Sequence, residues 1–415
     1  MSTIINATTT NGVVIQPDNS GSLVLQTNNG TTALTISTAQ DTTLAGKLTT
    51  ASSGIQFSDA SIQTAAASPY VLKNRIINGD MRIDQRNAGA SVTANGNAVF
   101  PVDRWKIEDA TDGVFTGQQV SDAPVGASYS LKVTITTADA SLGATQYASC
   151  YQLIEGYNTA DLAWGTANAK TVTLSFWVKS SLTGTFGGSV TNSGWGSTYP
   201  FTYTISAANT WEYKTVTIAG STSGTWLTTN GQGIGLFFGL GVGADYSGTA
   251  GAWTTGVKIS ATGATSVIGT NAATWQIALV QLEIGSTATP FERRLYNQEL
   301  ANCQRYYEKS YTTTTAPNTN TTEGAVIYRG TTQSGNATGN TIFFKVEKRA
   351  SPTMTFININ GTANSWNYDR SGASGTATPA TTFTPSTSNA TVEVSIGAAW
   401  AAAQIYGHYT ASAEL

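Results

Sequence analysis

The stretch KTVTLSFWVK, residues 170–179, decides how this chain is to be read. Val172, Leu174, Phe176 and Val178 fall on one side of a two-residue period, and Thr171, Thr173, Ser175 and Trp177 on the other. An extended backbone points successive side chains to opposite faces, so this is a strand with one face in a core. The same alternation recurs at Leu131/Val133/Ile135, Phe201/Tyr203/Ile205 and Trp275/Ile277/Leu279, with Gly-, Ser- and Asn-rich loops between. Many short strands joined in this way, without helical stretches among them, predict a central antiparallel jelly-roll β-sandwich. Trp177 stands off the apolar row, which places it at the surface or at a subunit interface.

Composition extends this all-β reading to the rest of the chain. Its 415 residues exceed one ordinary core. Only 11% are charged, against roughly 25% in a usual soluble domain. Thr, Ser, Asn and Gly cover the surface instead, which favours strands and turns. A formal net charge of −3 offers nothing to nucleic acid or to an anionic membrane. No run approaches ~18 apolar residues, so no membrane insertion is expected. MSTIINATTT lacks the features of a secretory signal, and Cys150 and Cys303 are too few for a disulfide framework. Synthesis and folding in a reducing cytoplasm are expected.

Residues 1–67 carry a repeat of ten or eleven residues. Its apolar pairs are Val13/Ile15, Leu23/Leu25, Leu34/Ile36 and Ile55/Phe57, with Leu44 and Leu48 between, separated by turn residues such as Asn28-Asn29-Gly30. Two inward side chains per short strand bury no core on one chain, so several copies must share an interior. An obligate homotrimer is the expected solution. Ala65-Ala66-Ala67-Ser68-Pro69 reads as a linker, and the sandwich is expected over 70–288. Thr289-Pro290-Phe291-Glu292 has the form of a capping box, predicting a helix within 289–311. A small β-sandwich domain is expected over 312–415, with strands in GAVIYRG, NTIFFKVEKR and ATVEVSIG.

Motifs for catalysis are missing. The single histidine, His408, has no nucleophile elbow to serve and reads as structural. Zinc lacks its usual ligands. GQGIGLFFGLGVG (231–243) has neither the helix nor the acidic residue of a nucleotide site, and its glycines read as close-packing positions. A glycosidase needs only two carboxylates. Asp80, Asp84, Asp103, Glu108, Asp109, Glu155, Asp161 and Glu283 are candidates without a context that raises a pKa. In NGDMRIDQRN (78–87), Asp80 and Asp84 read as partners of Arg82 and Arg86, with an oxygen-rich structural calcium site as the alternative. No catalytic residue, no metal ligand and no cofactor is assigned.

Aromatic residues, by contrast, are abundant: 40 Trp, Tyr and Phe beside 45 charged residues. Trp195 and Trp226 sit in small-residue loops. Trp366 and Tyr368 sit in NSWNYDR beside Asp369 and Arg370. Aromatic faces flanked by polar groups stack on sugar rings while the neighbours bond hydroxyls. These six residues are the candidate glycan contacts, with core or interface packing as the alternative for each.

KNRIINGDMRIDQRNAG (73–89), FPVDRWKI (100–107) and VQLEIGSTATPFERRLYNQELANCQRYYEKSY (280–311) together resemble a module of bacteriophage tail-fibre and related virion proteins. LVLQTNNGTTALTIS (23–37) and GIQFSDASIQTAA (54–66) resemble fibre attachment and shaft segments, and GHYTASAEL (407–415) resembles the end of the same group. The sandwich is also similar, at fold level, to jelly-roll carbohydrate-binding modules. The resemblance implies a trimeric, non-catalytic virion fibre on the phage tail. Residues 1–67 would contact other virion proteins, and the distal domains would bind a host polysaccharide or lipopolysaccharide. It fixes no contact residues. A structural head fibre, decoration protein or adaptor is the alternative, and a depolymerising tailspike the second.

Overall fold

The computed structural model describes residues 73–332, 337–370, 373–381, 385–395 and 400–415, with five short strands before residue 64. The chain divides into two compact units, Met1–Val71 and Leu72–Leu415. In the first, Leu23–Thr27, Thr31–Ile36 and Thr42–Leu44 form an antiparallel sheet, and Ile55–Gln56 pairs with Ile62–Gln63. Successive residues Val24 and Leu25 point to opposite faces and are 42% and 41% exposed, so neither face encloses a core. The repeat positions Val13, Ile15, Leu48 and Phe57 and the linker 65–69 lie outside the described residues.

The second unit begins with two six-stranded antiparallel sheets packed as a jelly-roll sandwich. One runs in the order Glu212–Ile218, Val172–Ser180, Thr274–Ile284, Ser130–Thr137, Val114–Val120, Val92–Ala94. The other runs Thr198–Ile205, Gly184–Thr191, Gln232–Val242, Tyr147–Glu155, Trp105–Ala110, Ala98–Val102. Val172, Leu174, Phe176 and Val178 are fully buried between them. Phe238 is the hub of this core, with Phe176 at 5.1 Å, Trp275 at 5.6 Å and Phe201 at 6.1 Å between ring centroids. Each such side chain contributes about 1.5–3 kcal/mol through burial. The glycines of 231–243 let loops lie on the strand: a Cβ at Gly239 would meet that of Ser260 at 2.6 Å.

One alternation breaks. Trp275 and Ile277 face the core, but Leu279 does not follow them. The register against Val172–Ser180 shifts between Ser175 and Trp177, and Leu279 has φ 52°. This bulge turns Leu279 outward and gives its core place to Val280.

The helix also differs from expectation. It spans only Tyr296–Gln304 and carries no side-chain cap. Side chains of the neighbouring strand compete for the amides of the expected capping box: Thr289 N–H donates to Glu283 Oε1 at 2.8 Å and Glu292 N–H to Gln281 Oε1 at 2.8 Å. Beyond it, Tyr307–Lys309 is a strand of the terminal domain, pairing with Trp400–Ser412. That long strand also pairs with Val326–Thr332, Thr353–Ile357 and Trp366–Arg370, while Ala337–Phe343, Asn389–Ser395 and Pro379–Thr381 form a second sheet. Ile342, Phe356, Trp366, Val392 and Ile405 lie in the core cluster of this domain.

NGDMRIDQRN lies where sandwich, helix and terminal domain meet. Arg82 pairs with Asp80 at 3.1 Å, and Asp84 accepts the amides of Asn87 at 2.9 Å and Gly89 at 2.7 Å. Arg86 reaches Asp103 at 3.1 Å and lies 3.7 Å over the Tyr307 ring. Arg104 pairs with Glu414 and stacks 3.5 Å over Tyr306. Arg305 holds Glu155 through two bonds, of 2.6 and 2.9 Å. Among the described residues, no group of three or more His, Cys, Asp or Glu is arranged to hold a metal ion. No helix among them is long and apolar enough to cross a membrane.

Candidate ligand-binding groove

The outer face of the first sheet carries an aromatic pair, Trp177 and Tyr213. Trp177 points outward because its strand buries the alternate residues, and its partner in register on the edge strand is Tyr213. The rings lie 5.6 Å apart at 48°, and Tyr213 is 45% exposed. The bulge supplies the floor, since it brings Leu279 to this face. The far wall is Pro290 and Phe291, held in place by the two amide bonds from Thr289 and Glu292 to the sheet. Together they enclose a groove of about 330 Å³, also lined by Ser175, Ala288 and Thr289. That lies in the range of small-ligand sites, about 300–1,000 Å³.

Two residues before Tyr213 on the same face, Trp211 extends the aromatic strip. Its indole N–H donates to Asp122 at 3.3 Å, and the Lys179 ammonium lies 5.1 Å from the ring while pairing with Asp122. The bond from Lys179 holds the exposed Asp122 carboxyl below the usual range. Planar apolar faces beside fixed hydrogen-bonding groups suit a ligand with a C–H face and a hydroxyl rim.

The six sequence candidates are elsewhere, and the structure does not gather them. Trp366 is a core residue: it is fully buried and its indole N–H donates to the His408 carbonyl at 2.7 Å. No face of its ring is free for stacking. Its immediate neighbours Ser365 and Asn367 alternate to the other face of the strand, which is why the segment reads as a surface. Tyr368 is half-buried against the same core, and Asp369 accepts a bond from Gln404 at 2.8 Å. Arg370 pairs with Ala373 and Ala403; its side chain lies outside the described residues. Trp195, at φ 55°, packs 5.0 Å from Phe237 on the opposite sheet. Trp226 packs edge-on with Trp164 at 4.7 Å and Trp253 at 5.6 Å, and its N–H donates to Ser223 O at 3.1 Å.

His408 is fully buried, with Nε2 bonded to Thr321 O at 2.9 Å, Nδ1 to Ser310 Oγ at 3.1 Å and its ring stacked on Tyr311. Burial lowers its pKa. Sequence reasoning misses Trp211, Tyr213 and Phe291, because the last sits in a segment that reads as a helix cap and the first two in a strand without a distinctive motif. The alternation in WEYKTVTI (211–218) is the signal that exposes Trp211 and Tyr213.

The class defined so far is an all-β protein built on an antiparallel jelly-roll sandwich with an aromatic groove on one outer face. No known family model matches the chain, and no curated protein matches it. Some solved structures overlap about half of it. A putative sugar binding protein from Bacteroides thetaiotaomicron is 12% identical over 51% of this chain and 100% of that one, with TM-score 0.30. A family 11 carbohydrate-binding module from Clostridium thermocellum, in complex with a mixed-linked tetrasaccharide, is 12% identical over 48% and 98%, with TM-score 0.25. The enzymatically active domain of bacteriophage CBA120 tailspike protein 4 is 14% identical over 51% of this chain and only 21% of that one, with TM-score 0.27. Likenesses this remote leave the groove to be argued from its own geometry.

Proposed function

We propose that this chain is a non-catalytic recognition fibre of a bacteriophage virion whose sandwich binds a host-surface glycan in the Trp177–Tyr213 groove. The observation that carries the binding reading is the outward-facing Trp177–Tyr213 pair above the Leu279 floor. The fibre reading is supported by the sequence resemblance and by the first unit, where Val24 and Leu25 stay exposed on opposite faces. Such a sheet gains a core by sharing one with other copies, and a homotrimer also multiplies weak sugar sites by effective concentration. The non-catalytic reading is supported by the lining of the groove, which contains no carboxylate. The most buried carboxylates serve internal partners: Glu155 with Arg305 and Tyr306, Glu308 with Lys348 and Tyr409, Asp103 with Arg86.

The test is a pull-down of purified protein by host envelope polysaccharide, with reducing ends assayed in the same tube. Wild type binds without releasing ends, and Trp177→Ala with Tyr213→Ala loses at least about tenfold in affinity while keeping its circular dichroism. Undiminished binding by that variant removes the groove from the mechanism. New reducing ends identify a depolymerase instead, and failure of wild type to bind any host fraction favours a purely structural fibre.

A further inference from the structure

A larger cleft, of about 490 Å³, opens between NGDMRIDQRN, the loop bearing Tyr129, the start of the helix and the loop at 313–314. It shares no lining residue with the groove. Tyr129 is 37% exposed and Tyr296 45% exposed, and both line it. Ser128, Tyr129 and Tyr296 bring to its wall hydroxyls that have no hydrogen-bond partner among the described residues. The rest of the wall is fixed. Gln119 donates to Met81 O at 2.6 Å, and Thr313 O accepts from the buried Lys309 at 3.2 Å. Arg82 lies 5.8 Å from the Tyr296 ring, but its guanidinium is engaged by Asp80 and by Arg294 O at 2.6 Å. The Asp84 carboxylate is taken by the amides of Asn87 and Gly89. Arg82 is therefore ion-paired within the protein, and the Asp84 carboxylate is hydrogen-bonded within it. What remains on offer is two aromatic faces and a set of neutral hydroxyls.

We propose that this cleft is a second saccharide site, separate from the groove and selective for an uncharged sugar unit. An anion would find the nearby guanidinium already bonded, and a cation the carboxylate. A purely apolar ligand would leave the free hydroxyls of Ser128, Tyr129 and Tyr296 dry and unpaired, which is costly. A pyranose satisfies both requirements, with its C–H face on a tyrosine ring and its hydroxyls bonded to the three side chains. Each chain then carries two sugar sites on different surfaces and cross-links a polysaccharide rather than gripping it once.

The experiment uses full-length protein labelled with 3-fluorotyrosine, its Tyr129 and Tyr296 signals identified by their loss in Tyr129→Phe and Tyr296→Phe. The probes are the methyl glycosides of glucose, galactose, mannose and rhamnose, with N-acetylglucosamine, glucuronate and inorganic phosphate. At least one neutral sugar should move both signals saturably, and equally in Trp177→Ala/Tyr213→Ala, which separates this site from the groove. Ser128→Trp, which fills the cleft while leaving both reporters in place, should abolish the shifts. Tyr129→Ala with Tyr296→Ala should weaken binding at least about fivefold, read from the sugar's own resonances. The proposal fails if no neutral sugar moves either signal, if only glucuronate or phosphate does, or if the shifts vanish with Trp177 and Tyr213. It fails equally if the two signals respond to protein concentration alone, which would make the cleft a contact between copies.

Discussion

Arg86 and Glu414 stand 328 residues apart in sequence and meet at 2.9 Å, Nη2 to Oε1. Glu414 also takes Arg104, so one carboxylate ties the first strands of the sandwich to the last strand of the terminal domain. Arg104 and Glu414 are nearly buried, and the pull of the two guanidiniums outweighs burial to keep the Glu414 carboxyl below its usual range. Replacing Glu414 with Gln leaves Arg104 without its charge partner and Arg86 with Asp103 alone. Breaking a buried pair from one side costs about 3–5 kcal/mol, so the urea midpoint should fall steeply. A variant unfolding with the wild-type midpoint would show that the link is not structural.

Asp103 gives the same junction a pH dependence. Burial pushes its carboxyl up to about 6, with Arg86 pulling the other way. Between its ordinary value of 3.8 and about 6, the folded chain holds a proton that the unfolded chain lacks. Stability from this group is therefore complete below about pH 4 and is lost as pH rises through 6, by up to about 3 kcal/mol. Urea midpoints at pH 4, 5, 6 and 7 should show this decline in wild type relative to Asp103→Asn. Parallel curves for the two proteins would refute the assignment.

Trp366 should matter for folding and not for ligand. Trp366→Phe keeps most of the ring but leaves the His408 carbonyl without its donor, a loss of about 1–3 kcal/mol. Trp366→Ala should cost about 3–5 kcal/mol. Neither should change glycan affinity once the folded fraction is accounted for, as a binding isotherm at low temperature would show.

Lys348 and Glu308 form an ion pair of 2.6 Å with both side chains fully buried. Lys348→Met alone strands a carboxylate that keeps only the Tyr409 hydroxyl and the Lys345 amide, at about 3–5 kcal/mol. Pairing it with Glu308→Leu should recover part of that loss, because it removes the stranded charge while leaving the Tyr409 hydroxyl, the Lys345 amide and the Gln304 and Val346 carbonyls without their partners. A double variant as unstable as the single one would contradict this.

The sandwich was legible because a half-buried strand writes its period directly into the sequence, and Val172 to Val178 is a strict case. Trp177 could be picked out as the residue standing off that period. Its partner Tyr213 needed the register between strands, which no single segment contains. Leu279 needed the bulge, a shift between neighbouring strands with no local mark in TWQIALVQLEI. The helix start was misplaced for a related reason: Thr289 and Glu292 have the right side chains for a cap, but Gln281 and Glu283 on the adjacent strand take their amides first. Trp366 misled because its polar neighbours describe the outer face of its strand while the indole occupies the inner one.

The distance along the chain between Arg86 and Glu414 also sets an order of events in synthesis. At ~5–20 residues per second, this second partner of Arg86 is made roughly 16–66 s after it. Within that interval the strands of the sandwich, the last of them Thr274–Ile284, are completed and can pair, while Arg104 still lacks its charge partner and Arg86 has Asp103 alone. The junction is thus the last part of this unit to close. A nascent chain interrupted before residue 414 lacks that carboxylate and keeps the corner open to proteases.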